Sequence, residues 1–271
     1  MGEMEEKHRA GMKLSVALCT FNGAKYLREQ LNSIAEQDVK VDEVIACDDS
    51  STDDTVSILR EYADRKILPI KIVENNRQLG VTANFEQAIL ACTGDIIFCS
   101  DQDDIWMLDK TKVITEYFDH HPSIDFVFTD AELVGNDGER LTDKSLFDTG
   151  GLKSLAKMWD AGLMFEITNT LGNHTTGCTM ALRKSMTQYA FPLKKGTNIL
   201  HDFQLAIAAM KNGSIGMIHQ CLIKYRLHGK NVCGIGNNWT LNAKKEPKWI
   251  KSLTEPIRLQ EYFIFTPPHT D

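Results

Sequence analysis

Three carboxylates fall within four positions at Asp101-Gln102-Asp103-Asp104, directly after the apolar run Ile96-Ile97-Phe98-Cys99 and just before Ile105-Trp106. Like charges this close repel unless a cation sits among them. A second acidic pair, Asp48-Asp49, ends another apolar run over residues 41–47. Hard cations such as Mg²⁺ or Mn²⁺ take oxygen ligands, and Mg²⁺ is typically held by one or two carboxylates together with substrate phosphates. So few carboxylates point to a ligand that brings phosphate with it. A solvated acidic turn is the plain alternative for either group alone, and finding two such groups weakens it.

The elements that must position these residues alternate along the chain. Residues 14–20 form a β-run that stops at Phe21-Asn22-Gly23, and helical spacing follows over residues 24–37. Residues 41–47 read as a second strand, with a helix after Asp53-Asp54-Thr55 running to about residue 66. A third strand spans 67–73, a polar loop 75–80 and a helix 82–91. The fourth strand, 95–100, has no polar residue alternating with its apolar ones, which predicts burial on both faces. Such alternation indicates a mostly parallel sheet covered by helices on both sides. In open sheets of this kind ligands bind at the carboxyl ends of the strands, where Thr20, Asn22, Asp48, Asp49 and the acidic cluster all fall. Beyond the cluster, a helix is expected over 108–120, a strand over 123–129 and a hairpin around Asn136-Asp137-Gly138. Residues 141–172 look loop-like. A helix opens at His201-Asp202 and stops near Asn212-Gly213, and two strand-like runs, 215–219 and 221–227, follow.

Composition narrows the classes. The 271 residues suit one large domain or two small ones, and a net charge of −7 argues against nucleic acid as a partner. The seven cysteines contain no CxxC pair, which fits buried thiols in a reducing compartment better than disulfides or a zinc site. Residues 1–12 are charged and read as a disordered tail. With no apolar span of membrane length, the expected location is cytoplasmic. The lysines at 244, 245, 248 and 251 form a basic cluster that could touch an anionic membrane peripherally. A dinucleotide fingerprint is excluded, since Thr20-Phe21-Asn22-Gly23-Ala24-Lys25 holds a single glycine after the first strand, and no phosphate-binding G-x-x-x-x-G-K-[ST] occurs. Phosphatases with an aspartate nucleophile usually carry Asp-x-Asp after the first strand, whereas here it follows the fourth.

Taken as an ordered set, residues 14–22, Ala46-Cys47-Asp48-Asp49-Ser50-Ser51-Thr52-Asp53, residues 76–80, residues 100–104 and Trp106-Met107-Leu108-Asp109-Lys110 resemble a family 2 glycosyltransferase of the GT-A fold, over roughly residues 13–235. Thr176-Gly177-Cys178-Thr179-Met180, His201-Asp202 and Tyr225-Arg226-Leu227-His228-Gly229-Lys230-Asn231-Val232 are similar to the bacterial rhamnosyltransferase-like branch. The resemblance implies an α/β GT-A fold with a Rossmann-like nucleotide-binding half (13–130), built on a mostly parallel sheet. A mixed acceptor and catalytic half (131–235) and a C-terminal extension (236–271) would complete it. One departure is Ser50, where many members carry Gly.

The same resemblance implies the roles. Thr20 and Asn22 would lie along the nucleotide, Asp49 would accept from the base, and Asp101 would approach ribose or diphosphate, with Lys230 reaching phosphate. Asp103, with His228, would hold Mg²⁺ or Mn²⁺. Asp202 would be the general base, although a carboxylate opening a helix is also what the helix dipole favours. Asp104, Trp106 and Gly177 would support the loop or the acceptor side, with Trp106 expected as core beneath the acidic loop. The implied activity is metal-assisted, inverting transfer from a nucleoside-diphosphate sugar (dTDP-rhamnose favoured, a UDP-sugar as the alternative) to a saccharide or lipid-linked acceptor. A non-catalytic nucleotide-sugar or cation-binding module is the competing expectation, and it would keep Asp49, Asp101 and Asp103 without needing Asp202.

Overall fold

A computed structural model of the chain describes residues 11–149, 152, 175–197, 199–229 and 231. Four parallel strands form the first part of the sheet: β1 (Leu14–Thr20), β2 (Glu43–Asp48), β3 (Ile70–Glu74) and β4 (Ile96–Ser100). Their order is β3-β2-β1-β4, so the chain winds outward from β1 and then crosses to its other side. The sheet continues without a break through β8 (Met180–Arg183), β6 (Phe126–Val134), β9 (Ile215–Arg226) and the two-residue β5 (Ile105–Trp106). β8 is antiparallel to β4 and to β6, whereas β9 runs parallel to β6. β7 (Arg140–Ser145) returns from the hairpin at Gly138 to pair with the far end of β6. The observed architecture is therefore a mixed sheet with a parallel core.

The side-chain period of two sorts the core onto the sheet's two faces. Leu14, Val16, Leu18, Ile96 and Phe98 point into one cluster, and Ala17, Cys19, Ile97 and Cys99 into the other. The first cluster is covered by α1 (Ala24–Ala35), α2 (Thr55–Asp64) and α4 (Lys110–His120). Leu27, Leu31 and Ile34 fall on one stripe of α1 and are fully buried, each burial favouring the fold by about 2 kcal/mol before entropy is counted. The second face is covered by α3 (Val81–Ala91) and, through Leu205, Ala206 and Ala209, by a helix of residues 201–211. Two shorter helices, α5 (Leu146–Thr149) and α6 (Thr187–Ala190), precede that helix, which is α7 (His201–Lys211). Among the described residues no helix is long and apolar enough to cross a membrane.

Three expectations change. The runs 215–219 and 221–227 are one strand, β9, and the apparent break is a register shift, with Thr129 opposite Ile218 and Asp130 opposite Cys221. Residues 105–106, to which the sequence assigned no element, pair with β9 as a short strand. That pairing is what carries the acidic loop across to the second half of the sheet. The stretch 141–172, expected to be loop-like, begins as the rest of β7 and then helix α5, because pairing with β6 recruits it; apart from residue 152 its remainder, residues 1–10 of the N-terminal tail and the extension after 231 lie outside the described residues. Six cysteines in the described part are free, five of them buried.

Candidate active site

The winding order puts a switch point between β1 and β4, where two neighbouring strand ends lead away from each other and leave a crevice. Gln102 bridges this crevice. Its amide oxygen accepts from the Phe21 N–H at 2.8 Å, and its amide nitrogen donates to the Phe21 carbonyl at 3.0 Å. A Cβ at residue 23 would sit 2.0 Å from the Gln102 oxygen, so Gly23 is what admits this clasp. The crevice opens into a cleft of about 940 Å³ lined by Thr20, Asn22, Tyr26, Asp49, Asp101, Asp103, Gly177, His201, Asp202 and His228 among others.

On the β1–β2 side the polar groups hold one another. The Thr20 hydroxyl donates to Asp48 at 2.7 Å, and Asp48 also accepts from the Ser51 N–H and hydroxyl. Asp48 is thus committed to shaping the turn after β2. Asn22 accepts from the Thr52 N–H at 2.8 Å and has φ 48°, while Ser50 takes φ 69°. Both lie in the left-handed region that L side chains enter at a cost. Asp49 accepts from the Leu79 and Gly80 N–H groups at 2.7 and 2.9 Å and from the Asn75 amide. It therefore fixes the 75–80 loop at the cleft, with Gly80 at φ 86°.

The acidic cluster divides by depth. Asp104 is buried and faces inward, its Oδ1 accepting from the Arg226 N–H at 2.9 Å. Loss of solvent, reinforced by the neighbouring charge of Asp103, pushes its pKa up to about 7. Burial likewise raises Asp101 well above the carboxylate range, with Asp103, Asp104 and Asp202 adding to the effect. Behind both stands Lys110, whose ammonium donates to the Cys178 carbonyl at 2.8 Å and lies 4.2 Å from the Trp106 ring centre. Burial pulls its pKa down to about 8. Trp106 is buried under the loop. Asp103 turns outward, its Oδ2 2.7 Å from His228 Nε2. His228 stacks on Tyr26, with ring centres 5.1 Å apart.

Arg226, fully buried, ties this side together. Its guanidinium donates to the carbonyls of Asp103 (2.8 Å) and Asn136 (2.7 Å), pairs with Glu29, and lies 4.7 Å from the Tyr26 ring centre. Sequence reasoning passed over Arg226, Gln102 and Tyr26. Arg226 stood inside a quoted motif but carried no visible spacing signal, because its partners are main-chain carbonyls.

The remaining wall comes from the second half. Asp202 lies in the first turn of α7, its Oδ1 accepting from the Phe203 N–H at 2.7 Å. Gly177 opens the 3₁₀ turn before β8. His201 is buried against Phe85, with ring centres 3.8 Å apart and planes at 12°. Desolvation lowers its pKa to about 3. The fold thus brings Thr20, Asn22, Asp49, Asp101, Asp103, Gly177, Asp202 and His228 to one cleft. It takes Asp104 and Trp106 out of it as loop support, and Lys230 lies outside the described residues.

Two donor sets could seat a cation. Asp103 with His228 offers a carboxylate and an imidazole, a pair suited to Mn²⁺ and, through the carboxylate, to Mg²⁺, at the cleft surface where a phosphate could complete the coordination. Asp101, Asp104 and Cys178 bring ligand atoms within 4.8 Å of one another. That inner set is sealed from solvent on two of its three members and already has the Lys110 ammonium beside it, so the outer pair fits a phosphate-bridging ion better.

A sequence profile described as Glycosyl transferase family 2 matches residues 15–189. An uncharacterized glycosyltransferase of Nostoc sp. is 29% identical over 224 residues, covering 81% of this chain and 66% of that protein. Among solved structures, Staphylococcus aureus TarS 1–349 in complex with UDP-GlcNAc superposes with TM-score 0.63 at 23% identity, over 81% of this chain and 60% of that one. A mannosyltransferase from Pyrobaculum calidifontis in complex with GDP-Man and Mn²⁺ gives TM-score 0.58 at 19% identity, over 78% and 55%. The chain spans just under two thirds of the Nostoc protein's length and 60% of the TarS fragment.

Proposed function

The chain belongs to glycosyl transferase family 2, and from that premise we propose that it transfers a sugar from a nucleoside-diphosphate donor to an acceptor hydroxyl with inversion. The observation that carries the reading is the 940 Å³ cleft, where groups suited to nucleotide, diphosphate and proton transfer line one space. Asp49 and the 75–80 loop it fixes would meet the base, with Thr20 and Asn22 alongside. Asp101 would face the ribose or diphosphate. Asp103 and His228 would hold Mg²⁺ or Mn²⁺, which when bound offsets charge growing on the diphosphate. Asp202, in the first turn of α7 at the same cleft, would take the proton of the attacking hydroxyl. Its place at the positive end of α7 stabilises the carboxylate that this role needs. The transition state at the sugar carbon would resemble an oxocarbenium ion.

Support for a nucleotide sugar comes also from the structural neighbours, whose bound ligands are UDP-GlcNAc and GDP-Man. Rhamnose as the transferred group rests on the likeness of residues 176–180, 201–202 and 225–232 to one branch, so the donor test must range over bases and sugars. The extension after residue 235, with its lysines, is the segment through which a peripheral membrane contact would be made.

A thermal-shift panel of UDP-, GDP- and dTDP-sugars with Mn²⁺ tests the binding half, because a specific ligand stabilises the fold by mass action. Release of nucleoside diphosphate that needs Mg²⁺ or Mn²⁺ and rises with an added saccharide acceptor tests the transfer. Binding without turnover under any acceptor would support a non-catalytic module instead. No shift with any nucleotide sugar would overturn the whole reading.

A further inference from the structure

His201 is the least accounted-for polar side chain at the cleft. Its ring is 3% exposed, and among the described residues neither nitrogen has a hydrogen-bond partner. Phe85 covers one face. Gly177 approaches it closely, since a Cβ there would stand 3.0 Å from Nε2 and 3.2 Å from Cε1. The ring is therefore held in a fixed slot by an aromatic stack and a residue without a side chain. Burying a polar group without partners is unfavourable, and native proteins rarely leave one so. A phenylalanine would fill the same slot without that cost.

We propose that the imidazole of His201 contacts a hydroxyl of the transferred sugar and so helps decide which sugar the cleft accepts. An uncharged imidazole carries one donor and one acceptor on diverging edges of the ring, and a hydroxyl can act as either, so a sugar hydroxyl can pair with one nitrogen whichever tautomer is present. Position agrees with this. The same Cβ position at Gly177 that touches His201 lies 3.9 Å from Asp101 Oδ2, and Asp202 is the next residue in the chain. His201 thus lines the same cleft as a group assigned to the diphosphate side and the group assigned to the acceptor proton, the space that the sugar of a bound donor would enter. Its low pKa keeps the ring uncharged across the working range, so both hydrogen-bonding modes persist.

The inference rests on the glycosyltransferase reading, and the test separates the two. Titration calorimetry with Mn²⁺ compares UDP with UDP-GlcNAc, GDP with GDP-mannose and dTDP with dTDP-rhamnose, for the wild type and for His201→Phe. Failure of the wild type to bind any member would sink the functional reading itself. The expected result is unchanged affinity for the nucleoside diphosphate and about tenfold or greater loss for the nucleotide sugar, with a melting temperature equal to or above that of the wild type. Equal nucleotide-sugar affinity in His201→Phe would overturn the role of His201 while leaving the functional reading intact. Should that variant not fold, ¹⁵N-histidine spectra of the wild type decide. The His201 nitrogens should shift with the nucleotide sugar and not with the nucleoside diphosphate, and identical spectra in the two complexes would refute the contact.

Discussion

Replacing Arg226 with Met keeps an unbranched apolar stem in a fully buried slot and removes every side-chain donor. Two close charge-assisted bonds disappear, to the carbonyls of Asp103 at 2.8 Å and Asn136 at 2.7 Å. At about 1.5 kcal/mol or more apiece these amount to roughly 3 kcal/mol. The Gly135 carbonyl, at 3.3 Å from the same Nη1, adds a weaker share. The Glu29 pair adds little, because the Glu29 side chain is 55% exposed and water replaces the lost partner. The expected loss is therefore about 3–5 kcal/mol, the range seen when a buried charged network is broken. Urea unfolding measures it as a fall in midpoint at unchanged slope. Because Arg226 anchors the main chain of Asp103, Mn²⁺ binding in the presence of UDP should also weaken, by about tenfold if the anchor's loss costs that step 1.4 kcal/mol. Arg226→Lys should fall between, since an ammonium cannot span both carbonyls. A loss below about 1 kcal/mol with unaltered Mn²⁺ affinity would refute the claim that this side chain holds the acidic loop in place.

Asp202→Asn should leave donor and Mn²⁺ affinity within twofold and lower transfer by about 10² or more, as expected for loss of a general base; unchanged turnover in a coupled nucleoside-diphosphate release assay would remove the assignment. Acid stability should carry the signature of His201, whose pKa falls from 6.5 to about 3 on folding. The unfolded chain takes up this proton near pH 6.5 and the folded chain only near 3, so the stability is complete above 6.5 and is lost as pH falls toward 3. Relative to wild type, His201→Phe should gain roughly 1.5 kcal/mol between pH 6.5 and 5, and a pH-independent difference in urea midpoints would contradict the burial of a neutral ring. Ser50→Gly should raise stability by about 0.5–1 kcal/mol, the relief of a left-handed L residue less the entropy of an added glycine; a lower melting temperature would show that the Ser50 conformation is unstrained.

The strand ends were legible because their signals are local. Apolar runs bounded by turn residues marked β1, β2 and β4 to within a residue or two, and the carboxylates after them fell where an open sheet binds ligands. Helix α7 was equally clear from His201-Asp202 to Asn212-Gly213. What could not be read were contacts that depend on distant chain segments meeting. β5 is two residues long and exists only because β9 lies beside it, so no periodicity announces it. The bulge in β9 looked like a gap between strands because register is a property of the pair with β6. Gln102 reads as one more polar residue in an acidic loop until Gly23, 79 positions earlier, is seen to leave it room.

The acidic cluster shows why residue type alone does not assign a role. Asp101, Asp103 and Asp104 share a side chain and fall within four consecutive positions, yet the turn into β5 sends them to different surroundings. The pairing of Ile105 with Lys224 pulls Asp104 inward against the Arg226 main chain, where Lys110 is the compensating charge and solvent is excluded. Asp103 is left on the rim, its carbonyl gripped by the Arg226 guanidinium and its carboxylate against His228. The carboxylate that stays near water can exchange a hydrogen-bond partner for a cation at little desolvation cost, and the one that is buried cannot. Asp101, partly exposed but crowded by the other two and by Asp202, is pushed toward its neutral form. A phosphate-bearing ligand without a cation would face the Asp103 carboxylate unscreened, which is the physical reason to expect nucleotide and metal to bind together.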